Sequence, residues 1–236
     1  MELLQVLLRI NPVLLYIAGG YILLAVLLYF VQEKFIFKPE KLPQDFTYKY
    51  DVPFKELFFD VEPGVRINGL HFTVDKPLGL VLYFHGNTRS IKGWAKYARD
   101  FARYQYDVVL VDYRGFGKST GKRSEQAIKK DLQFVYDTLA VQYHEHHILV
   151  YGRSLGSGFA TKLASDNKPR YLIIDSPYFS FKKVVERYLP FLPSKFVLRY
   201  HLRTDKWITR VNCHTYIIHG TKDWLIPISH SEQLQK

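Results

Sequence analysis

The sequence predicts an α/β fold: a mostly parallel, doubly wound sheet that follows one apolar N-terminal helix. Short apolar runs without polar alternation recur along the chain, which is typical of strands buried on both faces of a parallel sheet. These runs are residues 80–84, 108–111, 148–151, 172–174 and 216–218. Helix-like segments separate most of the runs, and this alternation of strand and helix predicts the doubly wound arrangement.

The segments between the runs have their own local patterns. Helices are predicted at residues 91–104, 125–143 and 155–165. The second is the clearest, because Ser124 is a good N-cap and Glu125 places a negative charge in the first turn. Ahead of the first apolar run, residues 55–60 and 65–74 alternate polar and apolar positions around a Glu-Pro-Gly turn. That alternation predicts an antiparallel hairpin.

The N-terminal helix is long enough to cross a membrane. Residues 10–32 contain no charged side chain, and residues 13–31 are almost entirely apolar. At about 1.5 Å per residue, such a helix spans the roughly 30 Å hydrocarbon core of a bilayer. A cleaved signal peptide is the alternative, but its apolar region would be about 7–15 residues long and followed by small residues. Here Gln32, Glu33 and Lys34 follow, which favours an uncleaved single-pass anchor.

The charge distribution bears on orientation and on partners. The formal net charge is +11, which fits either attraction to anionic lipid headgroups or a generally basic surface. No nucleic-acid motif accompanies the scattered basic residues, so no nucleic-acid partner is expected. Arg9 precedes the anchor, whereas four lysines follow it closely: Lys34, Lys38, Lys41 and Lys49. The positive-inside rule therefore favours a cytoplasmic domain.

We expect three parts in the chain. Residues 1–32 form the anchor, residues 33–54 a linker with three prolines, and residues 55–236 the α/β domain. Residues 178–210 interrupt the strand–helix alternation and are predicted to be an insert at the edge of the sheet. Their charges fit a solvated surface, or a lid or membrane-contacting surface over the substrate site.

A candidate nucleophile lies between the third apolar run and the helix that follows it. Residues 152–156 read Gly-Arg-Ser-Leu-Gly, a G-x-S-x-G pattern centred on Ser154. The pattern is common by chance, but here it stands between a strand and a helix, the context in which it forms a sharp turn. Bulky residues at Gly152 or Gly156 would clash at such a turn. The helix N-terminus adds partial positive charge that would stabilise a developing oxyanion.

Two backbone amides are candidate oxyanion donors. His85, Gly86 and Asn87 end the first apolar run, at the position from which one donor comes in folds with this nucleophile turn. We therefore expect the amides of Asn87 and Leu155 to form an oxyanion hole. His85 is expected to be a structural histidine of the loop.

An acidic residue would orient the catalytic base. Asp223 follows the last apolar run within His-Gly-Thr-Lys-Asp, and Asp175 follows the fourth run. The chain order serine, acid, histidine favours Asp223, since Asp175 precedes Ser-Pro and suits a turn or a helix cap. Cys213, the one cysteine, is expected to be a buried, unreactive thiol. No metal or cofactor is expected.

Four motifs together resemble a known family. His-Gly-Asn at residues 85–87, the segment at residues 112–119, Gly-Arg-Ser-Leu-Gly and His-Gly-Thr-Lys-Asp occur in the order found in α/β-hydrolase domain proteins. The match is closest to the membrane-anchored subfamily and covers about residues 30–236. The resemblance implies an α/β-hydrolase fold and hydrolysis of an ester, thioester or amide through an acyl-enzyme. Some members are acyl-protein hydrolases and others resemble serine aminopeptidases.

The expected catalytic histidine is not evident. In the family it follows a further strand, whereas only thirteen residues follow Asp223 here, and residues 229–236 read as the start of a helix. His230 and His219 are expected to be structural. We therefore expect the chain to be a C-terminally truncated piece of a longer protein, with the histidine beyond Lys236 and little activity by itself.

The expected function is hydrolysis at a membrane surface. Ser154 would attack the carbonyl of an acyl substrate, which could be a lipid, and Asp223 would hold the histidine. The alternative is a membrane-tethered interaction protein that keeps the fold without activity.

Overall fold

A computed structural model of the chain describes residues 12–235. Helix α1 covers Pro12–Ile36, and its 18-residue apolar window has a mean hydropathy of 2.3. It is long and apolar enough to cross a membrane, as the sequence predicts, although a signal sequence would meet the same criterion. The part of the predicted anchor before residue 12, including Arg9, lies outside the described residues. The helix continues to Ile36, four residues into the segment predicted to be a linker.

A seven-stranded sheet forms the centre of the domain. Its strands are β2 (Phe54–Glu62), β3 (Val65–Phe72), β4 (Gly79–Phe84), β6 (Tyr106–Val111), β7 (Ile148–Arg153), β8 (Tyr171–Asp175) and β9 (His214–Ile218). Their spatial order is β2-β3-β6-β4-β7-β8-β9. The predicted hairpin β2–β3 is antiparallel, β3 joins β6 antiparallel, and all other neighbours are parallel. The mostly parallel α/β sheet predicted from the apolar runs is therefore confirmed.

Both faces of the sheet are covered at its centre. The edge strand β9, expected from its apolar run to be buried on both faces, instead alternates exposed and half-buried residues, because it is the last strand of the sheet among the described residues. In β4, alternate side chains enter opposite cores: Leu80 and Leu82 pack with the helices at Glu125–Tyr143 and Leu155–Asp166, and Val81 and Tyr83 pack with residues 91–101. All six residues of this strand are buried. Continuous apolar sequence is thus required here, because neither face meets solvent.

The helices follow the predicted alternation, with one exception. They are α2 (Ile91–Trp94), α3 (Ala98–Ala102), α4 (Glu125–Tyr143), α5 (Leu155–Asp166), α6 (Phe181–Tyr188), α7 (Ser194–Val197), α8 (Thr204–Trp207) and α9 (Ser229–Leu234). The side chain of Ser124 caps α4 by accepting the amide of Ala127 at 3.0 Å. The expected single helix at 91–104 is instead divided into α2, a 3-10 turn and α3. Gly93 and bulky aromatic residues in this segment have weak helix propensity.

A short second sheet brings the end of α1 to the edge of the domain where the strands end. Strand β1 (Lys38–Pro39) pairs in parallel with β5 (Thr88–Arg89), which directly follows the His-Gly-Asn loop. The amide of Lys38 donates to the carbonyl of Asn87 at 2.8 Å. The last turn of α1 is therefore part of the domain's tertiary structure. The boundary between anchor and linker at residue 32 and the boundary between linker and domain at residue 54 stay predictions.

The predicted insert at residues 178–210 contains three short helices, α6 to α8. It leaves the sheet where β8 ends and returns where β9 begins, so this connection crosses from the carboxyl edge of the parallel strands to their amino edge. The side chain of Ser180 caps α6 by accepting the amide of Lys183 at 3.3 Å.

Candidate active site

Ser154 lies at a strained turn between β7 and α5. Its backbone has φ 50° and ψ −118°, a left-handed conformation that costs a non-glycine residue roughly 1–3 kcal/mol. Two hydrogen bonds hold the turn: the Ser154 amide donates to the Asp175 carbonyl at 2.8 Å, and the Ser157 hydroxyl donates to the Ser154 carbonyl at 2.6 Å. The strand–turn–helix context that the motif requires is present.

The two glycines of the motif allow the close contacts at this turn. A Cβ atom at Gly152 would lie 2.4 Å from the carbonyl oxygen of Gly156, and one at Gly156 would lie 2.2 Å from that of Phe84. Both obstacles are backbone atoms and cannot rotate away. The turn therefore excludes any side chain at either position.

An apolar cavity of about 210 Å³ opens beside Ser154. Ser154, Asn87 and Leu155 all border it, so the structure brings these three predicted residues together. The other lining residues come from α1, Tyr178, α6 and the loop after β9: Phe35, Ile36, Tyr178, Phe181, Val184, Val185, Leu225 and Ile226.

The amides of Asn87 and Leu155 are unoccupied. Among residues 12–235, neither has a hydrogen-bond acceptor. The other groups of Asn87 are engaged, since its side-chain amide donates to the Ile36 carbonyl at 2.8 Å and its own carbonyl accepts from Lys38. These bonds fix the loop beside the cavity and leave both amides without a protein acceptor among residues 12–235.

Tyr178 closes the cavity behind the nucleophile turn. Its hydroxyl donates to the carbonyl of Leu155 at 3.1 Å and lies where a Cβ atom at Gly158 would have to stand. Burial raises the pKa of Tyr178 far above its ordinary value, so the phenol stays protonated and keeps donating.

Asp223 does not border the cavity, but it shapes the cavity wall. One carboxylate oxygen accepts the amides of Leu225 and Ile226 at 3.0 and 2.9 Å, and the side chains of both residues line the cavity. The second oxygen lies 3.8 Å from Nε2 of His219, too far for a hydrogen bond. This oxygen is available to accept a bond from another group.

Asp175, the alternative acid, is engaged elsewhere. Its carboxylate accepts the hydroxyl of Tyr151 at 2.8 Å and lies 3.5 Å from Nε of Arg153. It therefore braces the ends of β7 and β8.

The histidines near the site have structural contacts. His85 is fully buried, and its Nδ1 donates to the Gly86 carbonyl at 2.6 Å. His219 contacts the Ser231 hydroxyl at 2.6 Å and the Ile226 carbonyl at 2.7 Å. His230 accepts the amide of Phe179 at 3.1 Å. Within residues 12–235, no histidine is hydrogen-bonded to the hydroxyl of Ser154.

Sequence reasoning missed the contribution of α1 to the site. Phe35 and Ile36 line the cavity, although both were expected to belong to a linker. No local signal marks them, because their role depends on the pairing of β1 with β5.

For Cys213, burial raises the thiol pKa, which disfavours the reactive thiolate.

The sheet topology, the strained serine turn and the two open amides define an α/β-hydrolase. Residues 75–209 match the Hydrolase_4 family model, described as serine aminopeptidase, S33. The chain belongs to this family. The matched range includes Ser154, Asn87 and Leu155, whereas Asp223 lies outside it.

Relatives and solved structures agree with this family. The uncharacterized protein Rv2307c of Mycobacterium tuberculosis is 29% identical over 184 residues, which cover 76% of this chain and 66% of that protein. Lysophosphatidylserine lipase ABHD12 of Bos taurus is 28% identical over 175 residues, 66% of this chain and 44% of the lipase. The chain thus spans about half to two thirds of the length of these relatives.

The structural comparison shows the fold. A Pyrococcus furiosus esterase superimposes with a TM-score of 0.65 at 23% identity, covering 85% of this chain and 82% of the esterase. Mouse alpha/beta hydrolase domain-containing protein 10 gives a TM-score of 0.58 at 18% identity, covering 77% and 83%. Family and fold together place the chain among the α/β-hydrolases.

Proposed function

We propose that the protein is a serine hydrolase that cleaves an ester, thioester or amide through an acyl-enzyme at Ser154. The observation that carries this proposal is the strained turn, which holds Ser154 at the border of an apolar cavity. Backbone strain of this kind persists where the surrounding structure imposes it, and it is concentrated at functional sites.

In the proposed reaction, the Ser154 oxygen attacks the substrate carbonyl carbon. The carbonyl oxygen becomes negative and accepts hydrogen bonds from the Asn87 and Leu155 amides. Each such donor contributes roughly 2.7–4 kcal/mol to the transition state. The bond to the leaving alcohol, thiol or amine then breaks, and the leaving group takes the proton that the Ser154 hydroxyl gave to a base during the attack. Water then gives a proton to the same base and attacks the acyl-enzyme, which releases the acid and returns the proton to the Ser154 oxygen.

We further propose that Asp223 orients the base. Its open carboxylate oxygen is suited to accept the N–H of a histidine ring, while its other oxygen is held by the Leu225 and Ile226 amides. Ser154 has no histidine partner within residues 12–235, and the expectation of a histidine beyond Lys236 stays a prediction. Without a base, we expect only slow reaction from binding and the oxyanion hole.

The proposed substrate has an apolar acyl group and is reached at a membrane. The cavity wall is mainly hydrocarbon, and two of its residues belong to the last turn of α1. The names of relatives, a lysophosphatidylserine lipase and an esterase, agree with an ester or lipid substrate.

Labelling with an alkyl fluorophosphonate tests the nucleophile. We expect slow covalent labelling of the chain, loss of the label in Ser154→Ala, and no change in the matched control Ser229→Ala, whose side chain is exposed. A label that survives Ser154→Ala would contradict the assignment.

One observation favours a second candidate function. Because Ser154 has no histidine partner among the described residues, a membrane-tethered interaction protein without activity also fits. If a folded protein is never labelled, even at high probe concentration, this second function is favoured.

A further inference from the structure

A second cavity adjoins the one beside Ser154. It is the larger of the two, about 360 Å³, and shares Phe35, Ile36, Phe181 and Val185 with it. The remaining lining residues come from α1, from the segment between α6 and α7, and from the end of α7: Leu28, Gln32, Leu189, Leu192, Val197 and Leu198. The two cavities therefore lie side by side, one at the nucleophile and the other along the N-terminal helix.

The wall formed by α1 is fixed to the domain. Gln32 is 7% exposed, and its side-chain amide donates to the Val197 carbonyl at 2.9 Å while its oxygen accepts the Arg199 amide at 2.9 Å. One residue further on, Glu33 pairs with Arg199 at 3.0 Å. These contacts lock α1 against the segment that precedes α8, so the second cavity is a built feature of the fold.

The second cavity suits hydrocarbon and no polar group. Gln32 is its one polar side chain, and both its oxygen and its nitrogen already have protein partners. A polar ligand group there would lose its water without gaining a hydrogen-bond partner, which is unfavourable. An unbranched hydrocarbon chain loses no such interaction and gains burial.

The surroundings indicate a lipid as the source of that chain. Phe35, Leu189 and Phe191 expose 67%, 47% and 87% of their surface beside the cavity. The Tyr21 hydroxyl donates to the Phe191 carbonyl, so residues 189–197 lie along α1 from Tyr21 to Gln32. At 1.5 Å per residue this contact extends for about 16 Å of helix. A helix that crosses a bilayer would carry this segment into the hydrocarbon layer.

We propose that the second cavity holds the distal part of a long lipid acyl chain, which enters from the bilayer between α1 and residues 189–197. The membrane helix is then a wall of the substrate site and sets the acyl-length preference. This inference rests on the proposed function, since the carbonyl end of the chain would lie at Ser154.

Photo-cross-linking with a diazirine-bearing palmitate tests acyl binding without requiring hydrolysis. The full chain is placed in phosphatidylcholine nanodiscs, and labelled peptides are mapped by mass spectrometry. We expect cross-links to peptides that line the second cavity, competition by palmitate but not by butyrate, and full retention in Ser154→Ala.

Two matched tryptophan variants decide whether the cavity is responsible. Leu192→Trp fills the cavity, and we expect it to weaken cavity cross-linking about tenfold or more, equivalent to losing the burial of roughly two methylene groups. Leu78→Trp, the same change at an exposed residue that lines neither cavity, is expected to leave it unchanged. Circular dichroism checks that both variants are folded.

The outcomes separate this inference from the proposed nucleophile. Cross-links spread evenly over exposed apolar residues, or unchanged in Leu192→Trp, overturn the acyl cavity. Competition by an S-palmitoyl peptide but not by a lysophospholipid overturns the lipid source. If phosphonate labelling fails while cavity cross-linking succeeds, the error lies in the assignment of Ser154.

Discussion

Single atoms decide whether the nucleophile turn can form. Gly156 packs against the backbone where β4 ends, so a methyl group there would meet the Phe84 carbonyl oxygen at 2.2 Å. Since a carbonyl within a sheet cannot move freely, the collision must displace α5 or the turn. The geometry of Ser154 thus depends on the absence of a Cβ atom at Gly156.

Gly156→Ala is therefore expected to destabilise the protein by about 1–3 kcal/mol or more, as overpacking does elsewhere. It should also abolish phosphonate labelling. Gly220→Ala is the control, because a Cβ atom there has no neighbour within 4 Å. Chemical denaturation followed by circular dichroism measures both variants, and equal stability of the two would contradict the steric argument.

His230 gives the fold a predicted dependence on pH. Burial lowers its pKa, and the nearby positive charge of Lys183 acts in the same direction. Its Nδ1 must also stay unprotonated to accept the Phe179 amide. The unfolded chain binds a proton near pH 6.5 and the folded chain does not, so this contribution to stability is complete above that pH and is lost as pH falls below it.

We expect His230→Asn, which keeps an acceptor but does not titrate, to flatten the decline of stability between pH 7 and pH 5. The exposed His146→Asn serves as the control and should retain the wild-type slope. Urea denaturation at several pH values measures the slopes. Identical slopes for His230→Asn and the wild type would contradict this assignment.

Residue types and spacing predicted part of the site. The serine turn and the two amides follow from glycines and from their positions at strand ends, which are local properties of the chain. Phe35 and Ile36 could not be found this way, because they reach the cavity through a long-range pairing. The role of Asp223 stays a prediction, since the structure shows only that its carboxylate supports the cavity loop.

Among the elements, the contact of α1 with residues 194–199 includes two hydrogen bonds from one buried side chain, Gln32, beside the Glu33–Arg199 ion pair. Removing the Gln32 amide leaves the Val197 carbonyl and the Arg199 amide without partners, which costs about 1–3 kcal/mol for each buried group. This side chain therefore decides whether the segment stays closed over the second cavity.

In Gln32→Ala, we expect faster trypsin cleavage at Lys195 and Arg199 than in the wild type, because the segment detaches from α1. Gln142→Ala, at an exposed helical position, should cleave at the wild-type rate. Limited proteolysis in detergent followed by peptide mapping gives the rates. If both variants are cleaved alike, the side chain does not hold the segment.

Strands were easier to predict than helices in this chain. Continuous apolar runs locate the parallel strands to within two residues at either end, because the central strands are buried on both faces; the edge strand β9 keeps an apolar run although it is partly exposed. The segment at 91–104 kept a helical pattern, yet Gly93 and its aromatic neighbours divide it. The order of the strands in the sheet also could not be predicted from the apolar runs, because it depends on which connections cross over to a non-adjacent position.

For the whole molecule, the attachment of α1 argues for an uncleaved anchor. The last two turns of the helix supply walls to both cavities, so removal as a signal peptide would open the site. We expect the mature protein to retain residues 12–36 and to stay with membranes after alkaline carbonate extraction. Intact-mass analysis checks this, and a mature N-terminus after residue 32 would contradict it.

The side of the membrane on which the α/β domain lies is a separate prediction. The lysines after α1 favour a cytoplasmic domain through the positive-inside rule. We expect added protease to spare the domain in sealed cells and to digest it after permeabilisation. Digestion in intact cells would reverse the assignment.

The buried contacts of Gln32 bear on how this protein is best handled. A water-soluble version trimmed at the start of the domain would lose Leu28 and Gln32, and with them one side of the larger cavity. Inhibitor screens on such a trimmed version would use a site that lacks one wall. Compounds that bind in the larger cavity would then be overlooked. Detergent or nanodisc preparations that keep the helix preserve the surface such compounds would contact.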